Sequence, residues 1–246
     1  MTVVRTVATH EVVSSVFPRP VREGDELAMA IGKAIDTALG KYSFEAGRGR
    51  RLGISAAVAI GLREFDELCR DADLHPPEPV RAGIEKEVQR VVRAFRGSVL
   101  YGLERPRSRL VLIDESVGVY AQPDYWDRSA RFYEMKSYRA IPPPPDIALQ
   151  VAIFRLAFPG FQAFLVGFDR HSDPVDVRIA EVPSPPEADR ARALRSAFEV
   201  GRRTGREKVL EYIDVPVIRY RLPPDPPTDP SGGARFPAPG PSRESD

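Results

Sequence analysis

The chain is almost free of cysteine and has no long apolar run. Its 246 residues include one cysteine, Cys69, which excludes an internal disulfide framework and a four-cysteine zinc or iron–sulfur site built from this chain alone. The longest weakly polar stretch, residues 52–62, is about half the length that a bilayer requires. The N-terminal residues are charged and lack the apolar segment of a signal peptide. We therefore expect a cytoplasmic protein without a membrane partner.

An excess of charge of either sign is also missing. Lys and Arg number 36 and Asp and Glu 35, so the formal net charge is +1. This balance excludes a polybasic coat protein, although it leaves room for local charged patches.

Hydrophobic periodicity and turn residues predict an α/β fold. Apolar residues that recur every three to four positions predict helices at the start of the chain, and β-rich, partly alternating segments follow after Gly97. This order favours a central mixed β-sheet flanked by helices. The predicted helices are 25–42, 52–70, 79–95, 147–158 and 187–212, and the predicted strands are 99–104, 109–115, 117–125, 131–138, 161–168 and 175–182.

These elements predict one domain over residues 1–221. Its helical N-terminal part covers about 24–97, its sheet core about 98–182, and an Arg-rich C-terminal helix about 187–212. Residues 222–246 are rich in proline, glycine and serine, a composition typical of disorder, and we expect a disordered tail.

Three residues of the predicted sheet form the most informative cluster. A polar loop around Ser129 predicts a hairpin that sets Asp124 directly opposite Glu134, with Cβ atoms about 5 Å apart. Two carboxylates at that distance repel each other unless a cation lies between them, and hard divalent ions take such oxygen ligands. Lys136 follows Glu134 by two residues and projects from the same face of its strand, whereas the Met135 side chain points to the other face.

Two carboxylates, a metal and an ammonium group suit the hydrolysis of phosphodiesters. The metal polarises a phosphoryl oxygen and activates water, and the lysine stabilises developing negative charge. Acyl transfer fits poorly, because no serine or cysteine nucleophile accompanies a histidine. The alternative for Glu134 and Lys136 is a solvated strand face or a simple salt bridge.

Pro123-Asp124 followed by Glu134-Met135-Lys136 resembles the signature of the PD-(D/E)XK nuclease superfamily. The sequence is most similar to the RecB-like exonuclease branch, which includes the CRISPR-associated four-cysteine exonucleases. The iron–sulfur cysteines of those CRISPR-associated relatives are missing, so no such cluster is expected.

Two further motifs extend the resemblance from about residue 24 to residue 168. Gly32 and Asp36 stand where the branch has Gly-x-x-x-His, and Gln150 and Phe154 stand where it has Gln-x-x-x-Tyr. Asp36 replaces an imidazole ligand by a carboxylate, which Mg²⁺ or Mn²⁺ accepts. Phe154 removes a tyrosine hydroxyl. Both departures keep open a catalytically inactive nuclease-like module that binds nucleic acid or serves assembly.

The resemblance implies a restriction-endonuclease-like core and a deoxyribonuclease dependent on Mg²⁺ or Mn²⁺. The residues it marks as catalytic are Asp124, Glu134, Lys136 and Gln150, and the metal ligands are Asp36, Asp124, Glu134 and the carbonyl of Met135.

Arginines follow the first predicted helix as candidate contacts to DNA, the expected partner. Arg48, Arg50 and Arg51 alternate with glycines, and the planar donor fork of arginine suits phosphate oxygens. The alternative is an ordinary solvated helix end.

Overall fold

A computed structural model of the chain describes residues 2–18, 24–50, 52–138 and 141–223. Within those ranges the chain forms α-helices and β-strands in mixed order. The helices are α1 (Thr9–Val16), α2 (Asp25–Gly47), α3 (Ile54–Asp71), α4 (Glu78–Arg96), α5 (Pro145–Ala157) and α6 (Glu187–Thr204). The strands are β1 (Val3–Ala8), β2 (Arg109–Ile113), β3 (Val117–Ala121), β4 (Tyr125–Asp127), β5 (Arg131–Lys136), β6 (Gln162–Asp169), β7 (Asp176–Val182), β8 (Arg206–Val209) and β9 (Val217–Tyr220).

The strands build two mixed sheets, so the predicted α/β class is confirmed. One sheet has five strands in the order β8-β1-β3-β2-β9, and the other has four in the order β4-β5-β6-β7. In the smaller sheet, β4 runs antiparallel to β5, β5 runs parallel to β6 and β6 runs antiparallel to β7. The parallel pair is joined through α5, the usual connection between parallel strands.

Two hydrophobic cores cover the faces of the smaller sheet. Phe132 and Leu165 belong to the core that also contains α5, α6 and the larger sheet. Met135 and Val166 belong to the core formed with α2, α3 and α4. The apolar run 161–168 therefore forms a strand that is covered on both faces, as its composition predicts.

The α5 helix is apolar almost all round because it packs against both sheets. It contacts β2 and β3 of the larger sheet, while Phe154 meets Phe132 of β5 at a ring-centroid distance of 6.2 Å. A helix without a polar face of its own is typical of such a buried position. Polar Gln150, which is half-buried, is an exception on this helix.

The strands divide into two sheets, where the sequence predicts one central sheet. The sequence favours a single strand over 117–125, but the chain leaves the larger sheet at Ala121 and enters the smaller one at Tyr125. Pro123 lies at this crossing and has no N–H with which to continue a ladder. The side chain of Gln122 instead donates to the carbonyl of Pro106, at 2.8 Å.

Three boundaries of the predicted domain parts also differ. Residues 98–103 form turns rather than the first strand of the sheet core, and Glu104 makes only an isolated bridge to Trp126. The Arg-rich helix ends at Thr204, because Gly205 adopts an extended conformation from which β8 pairs with β1. The larger sheet thus includes residues before and after the predicted core. The predicted tail, apart from residues 222 and 223, lies outside the described residues.

None of the helices in the described ranges has the length and apolar character needed to cross a bilayer.

Helices α2 and α3 approach each other closely at Gly61. A Cβ atom at this position would lie 2.6 Å from the carbonyl oxygen of Ala34 and 2.9 Å from the Cβ of Ala38. Contacts this short require the backbones to separate. Gly83 is an exposed glycine inside α4, and a Cβ atom added there would have no neighbour within 4 Å. This position therefore serves as a control.

We expect Gly61→Ala to lower the free energy of unfolding by about 1–3 kcal/mol through overpacking. Gly83→Ala should raise it by up to about 1 kcal/mol, because alanine is the better helix former. Urea denaturation of the two variants measures both changes. Equal effects at the two positions would contradict the close packing of α2 on α3.

Candidate active site

The hairpin of β4 and β5 has the register that the sequence predicts. Tyr125 pairs with Tyr133, Trp126 with Phe132 and Asp127 with Arg131. The same register, continued by one residue, sets Asp124 opposite Glu134. Asp127 fixes the turn, because its Oδ1 accepts hydrogen bonds from the backbone N–H groups of Ser129 and Arg131, at 2.8 and 3.3 Å.

Asp124 is held at the open end of this strand pair. Its Oδ2 accepts a hydrogen bond from the backbone N–H of Met135, at 2.8 Å. The N–H and C=O groups of one strand residue point toward the same neighbouring strand. The carbonyl of Met135 therefore faces the side of β5 on which Asp124 lies.

Glu134 and Lys136 lie on the α5-facing side of β5, as their spacing predicts. Lys136 Nζ donates to Glu134 Oε1 at 2.6 Å and to Gln150 Oε1 at 3.2 Å. The side chains of Tyr133 and Met135 point to the opposite core. The lysine ammonium group is thus fixed between a carboxylate of its own strand and an amide of α5.

Asp36 approaches the same cluster from α2. Its side chain is half-buried, and the burial together with the nearby charge of Asp124 raises the pKa of the Asp36 carboxyl to about 7. Lys136 acts in the opposite direction on this pKa. Asp36 is therefore a neighbour of the hairpin carboxylates rather than a solvent-facing residue of α2.

Glu134 has the most unfavourable environment for a negative charge. The residue is 3% exposed, and burial followed by the charge of Asp124 raises the pKa of its carboxyl to about 8, although Lys136 lowers it. The pKa of Lys136 lies above its usual value, because Glu134 and Asp124 outweigh the cost of burying the ammonium group. The cluster combines three carboxylates with one ammonium group, so its full ionisation leaves an uncompensated negative charge.

The donor atoms of this cluster fit a hard divalent cation in their chemistry. Carboxylate and carbonyl oxygens are the ligands that Mg²⁺ and Mn²⁺ prefer. As the side chains stand, no group of three or more His, Cys, Asp or Glu residues in the described ranges is arranged to hold a metal ion. Glu134 is turned toward Lys136, and Asp124 toward the backbone of β5.

Gly32 and Phe154, the remaining residues of the two flanking motifs, contribute no polar side chain to the cluster. A Cβ atom at Gly32 would lie 3.9 Å from Ser137 Oγ, an ordinary contact, so close approach does not require glycine there. Phe154 is 2% exposed and belongs to the core beneath β5.

Arg105 is a further neighbour of the site, and the sequence patterns did not select it. A Cβ atom at Gly40 would lie 2.8 Å from its guanidinium, so the glycine makes room for the arginine beside α2. The guanidinium also lies 5.9 Å from the ring centroid of Tyr125. Gly32, Asp36 and Gly40 are spaced by four residues and therefore share one face of α2. This spacing is the sequence feature that could have indicated a close neighbour of Asp36 such as Arg105.

The arginine cluster after α2 lies away from the carboxylates. Arg48 lies over the ring of Phe44 at 4.2 Å, and Arg50 pairs with Glu45 at 3.5 Å. Arg48 is about 18 Å from Asp36 along the helix axis. Arg51, the third predicted contact, lies outside the described residues.

Comparisons with known proteins give no family. No family model matches the chain, and no curated protein matches it significantly. Among solved structures, the "Crystal structure of SSO0001" matches with 11% sequence identity and a TM-score of 0.34, over 78% of this chain and 82% of that one. A similarity this weak supports neither a fold family nor a function.

The raised carboxyl pKa values predict how stability depends on pH without metal. Folded Glu134 keeps its proton at pH values where the unfolded chain has lost it, so its contribution is complete below about pH 4.5 and is lost as the pH rises through about 8. With a metal chelator present, we expect the melting temperature of the wild-type protein to fall as the pH rises from about 4.5 to about 8. The melting temperature of Glu134→Gln should fall less. Thermal denaturation between pH 5 and 9 measures the two slopes, and equal slopes would contradict the raised pKa.

Proposed function

We propose that the chain is a metal-dependent nuclease that hydrolyses phosphodiester bonds of DNA in the cytoplasm. One observation carries the proposal: the Lys136 ammonium group is fixed by Glu134 and Gln150 on the strand that faces Asp124. Four residues from three segments of the sequence thereby form one polar site inside an apolar sheet. Such polar groups are costly to bury, and they are frequent at functional sites.

Oxygen ligands from three elements are available for Mg²⁺ or Mn²⁺. Asp36 of α2, Asp124 before β4, and Glu134 with the carbonyl of Met135 on β5 would hold the ion. When bound, it supplies Lewis-acid polarisation of the phosphoryl group and a more acidic water. Its charge would also stabilise the ionised forms of Asp36 and Glu134, whose pKa values are raised by burial and by the charge of Asp124.

Lys136 would act as a fixed cation beside the reacting phosphate. Because its pKa is raised, the side chain stays protonated and cannot serve as a general base at neutral pH. Its Nζ is a donor that can hold a water molecule or stabilise the charge that develops on a phosphate oxygen. Gln150 keeps the ammonium group in place from α5.

A nuclease-like module that only binds nucleic acid, or that serves assembly, is the second candidate. It is favoured by the directions of Asp124 and Glu134, which point to the backbone of β5 and to Lys136 rather than to a common ion position among the described residues. The aspartate at position 36 and the phenylalanine at position 154 point the same way, because each departs from the catalytic pattern.

Lys136→Ala tests the proposed catalysis directly. We expect the wild-type protein to cleave labelled DNA with Mn²⁺. The variant should cleave it about 100- to 1,000-fold more slowly, as is typical when one donor to a developing anion is removed. Lys208→Ala is the matched control, because Lys208 is a strand lysine of the other sheet.

Equal rates for the wild-type protein and Lys136→Ala would overturn the assignment of the lysine. DNA binding without cleavage by any of the proteins would favour the second candidate.

Calorimetric titration with Mn²⁺ tests the metal ligands independently of cleavage. We expect Asp124→Asn to weaken binding at least about 10-fold, because an amide oxygen carries no full charge to attract the ion. Asp176→Asn removes a carboxylate at the start of β7 in the same sheet, where Asp176 pairs with Arg178, and should leave the affinity unchanged. Identical affinities for the wild-type protein and Asp124→Asn would exclude Asp124 as a ligand.

A further inference from the structure

A cavity of about 690 Å³ opens at the β4 edge of the smaller sheet. This volume is in the range of pockets that enclose small organic groups. The residues that line it come from the end of α2, the turn before β2, the β4–β5 hairpin and the start of β6. They include Gly47, Glu104, Trp126, Arg128, Ala130 and Phe161.

The Trp126 wall of the cavity lies on the same face of the smaller sheet as Glu134 and Lys136. Trp126 follows Asp124 by two residues and therefore projects on the same side of the chain, roughly 6.5 Å further along. Trp126 pairs with Phe132, which lies two residues before Glu134, so the indole and the Glu134 carboxylate project from one face of the strand pair. A polymer that reaches Asp124 along this edge also passes the cavity.

The wall of the cavity carries an aromatic pair. Trp126 and Phe161 are stacked, with ring centroids 6.1 Å apart and planes inclined by 13°. Both rings are only partly buried. Partly exposed aromatic rings in a concave site are the usual platform on which proteins stack unpaired bases.

The charges around the cavity favour a base inside and phosphates outside. Exposed Glu104 contributes a carboxylate to the wall, which repels a phosphate but accepts a hydrogen bond from a base amine. Arg128 is an exposed cation of the lining, and Arg48 follows directly after Gly47. Asp127 also lines the cavity, but both of its oxygens are engaged by the hairpin turn and by the hydroxyl of Tyr133.

We propose that this cavity binds one unpaired base of single-stranded DNA, stacked on Trp126 and Phe161 next to the cleavage site. The inference rests on the proposed function for its substrate, and it adds a preference for single strands. A base within a duplex is stacked on its neighbours and cannot enter without being extruded, which costs a few kcal/mol.

Trp126 is the single tryptophan of the chain, so the tryptophan emission reports on this site alone. The experiment uses Lys136→Ala with a chelator, which prevents cleavage. We expect a 12-nucleotide single strand to quench the tryptophan emission in a saturable way, and a blunt duplex of equal length to quench it little. Equal quenching by both DNAs, or none by either, would overturn the proposal.

Substitutions then test the stacking energy by the fluorescence anisotropy of a labelled single strand. Trp126→Leu in the Lys136→Ala background should weaken binding about 5- to 150-fold, which corresponds to the stacking of one base. Trp126→Phe should retain most of the affinity. Tyr212→Ala, at a tyrosine that is 78% exposed, should change nothing. Unchanged binding by Trp126→Leu would contradict the subsite.

The outcomes separate this inference from the proposed nuclease activity. Mn²⁺-dependent cleavage by the wild-type protein, without quenching by single strands, would overturn the base subsite and leave the nuclease in place. Saturable quenching without cleavage would support the subsite within the binding module that is the second candidate. If Trp126→Leu does not fold, the quenching of the unaltered tryptophan and the affinity of Trp126→Phe still decide the matter.

Discussion

The register between β4 and β5 is the constraint on which the site depends. The pairing of Tyr125 with Tyr133 sets Asp124 opposite Glu134 and directs Lys136 toward α5. A slip by one residue would exchange the faces of the strand, because side chains alternate with a period of two. The buried Tyr133 and Met135 would then face α5, and the charged residues would enter the helical core. The turn hydrogen bonds of Asp127 oppose such a slip.

Burial of the carboxylates links the site to the helices around it. Without compensation, a buried charge is neutralised by a shift in its pKa, and the raised pKa values of Asp36 and Glu134 reflect that cost. Lys136 offsets part of the cost from within the cluster. The close contact of α2 with α3 at Gly61 positions the helix that carries Asp36, so packing on another face of α2 contributes to the electrostatics of the site.

The two sheets share one core through α5, and this helix also supplies a polar side chain to the site. Its apolar residues fill the space between the sheets, and Gln150 reaches the lysine of β5. The aromatic wall continues the same face past the carboxylates, where Trp126 stacks on Phe161. The carboxylates proposed as metal ligands and a base-sized cavity thereby lie along one sheet edge, an arrangement suited to a chain-like substrate.

Local patterns in the sequence determined helices α2, α3 and α4, the hairpin register and the shared face of Glu134 and Lys136, because these depend on periodicity and turn residues. They did not indicate α1 or β1. The sequence did not reveal that the strands form two sheets, since pairing partners such as β1 and β8 are far apart in the chain. It also gave no reason to select Arg105 or the Trp126 cavity. Which of several possible arginines and aromatic residues approach the site depends on how α2 packs across β4, and that contact exists only in the folded chain.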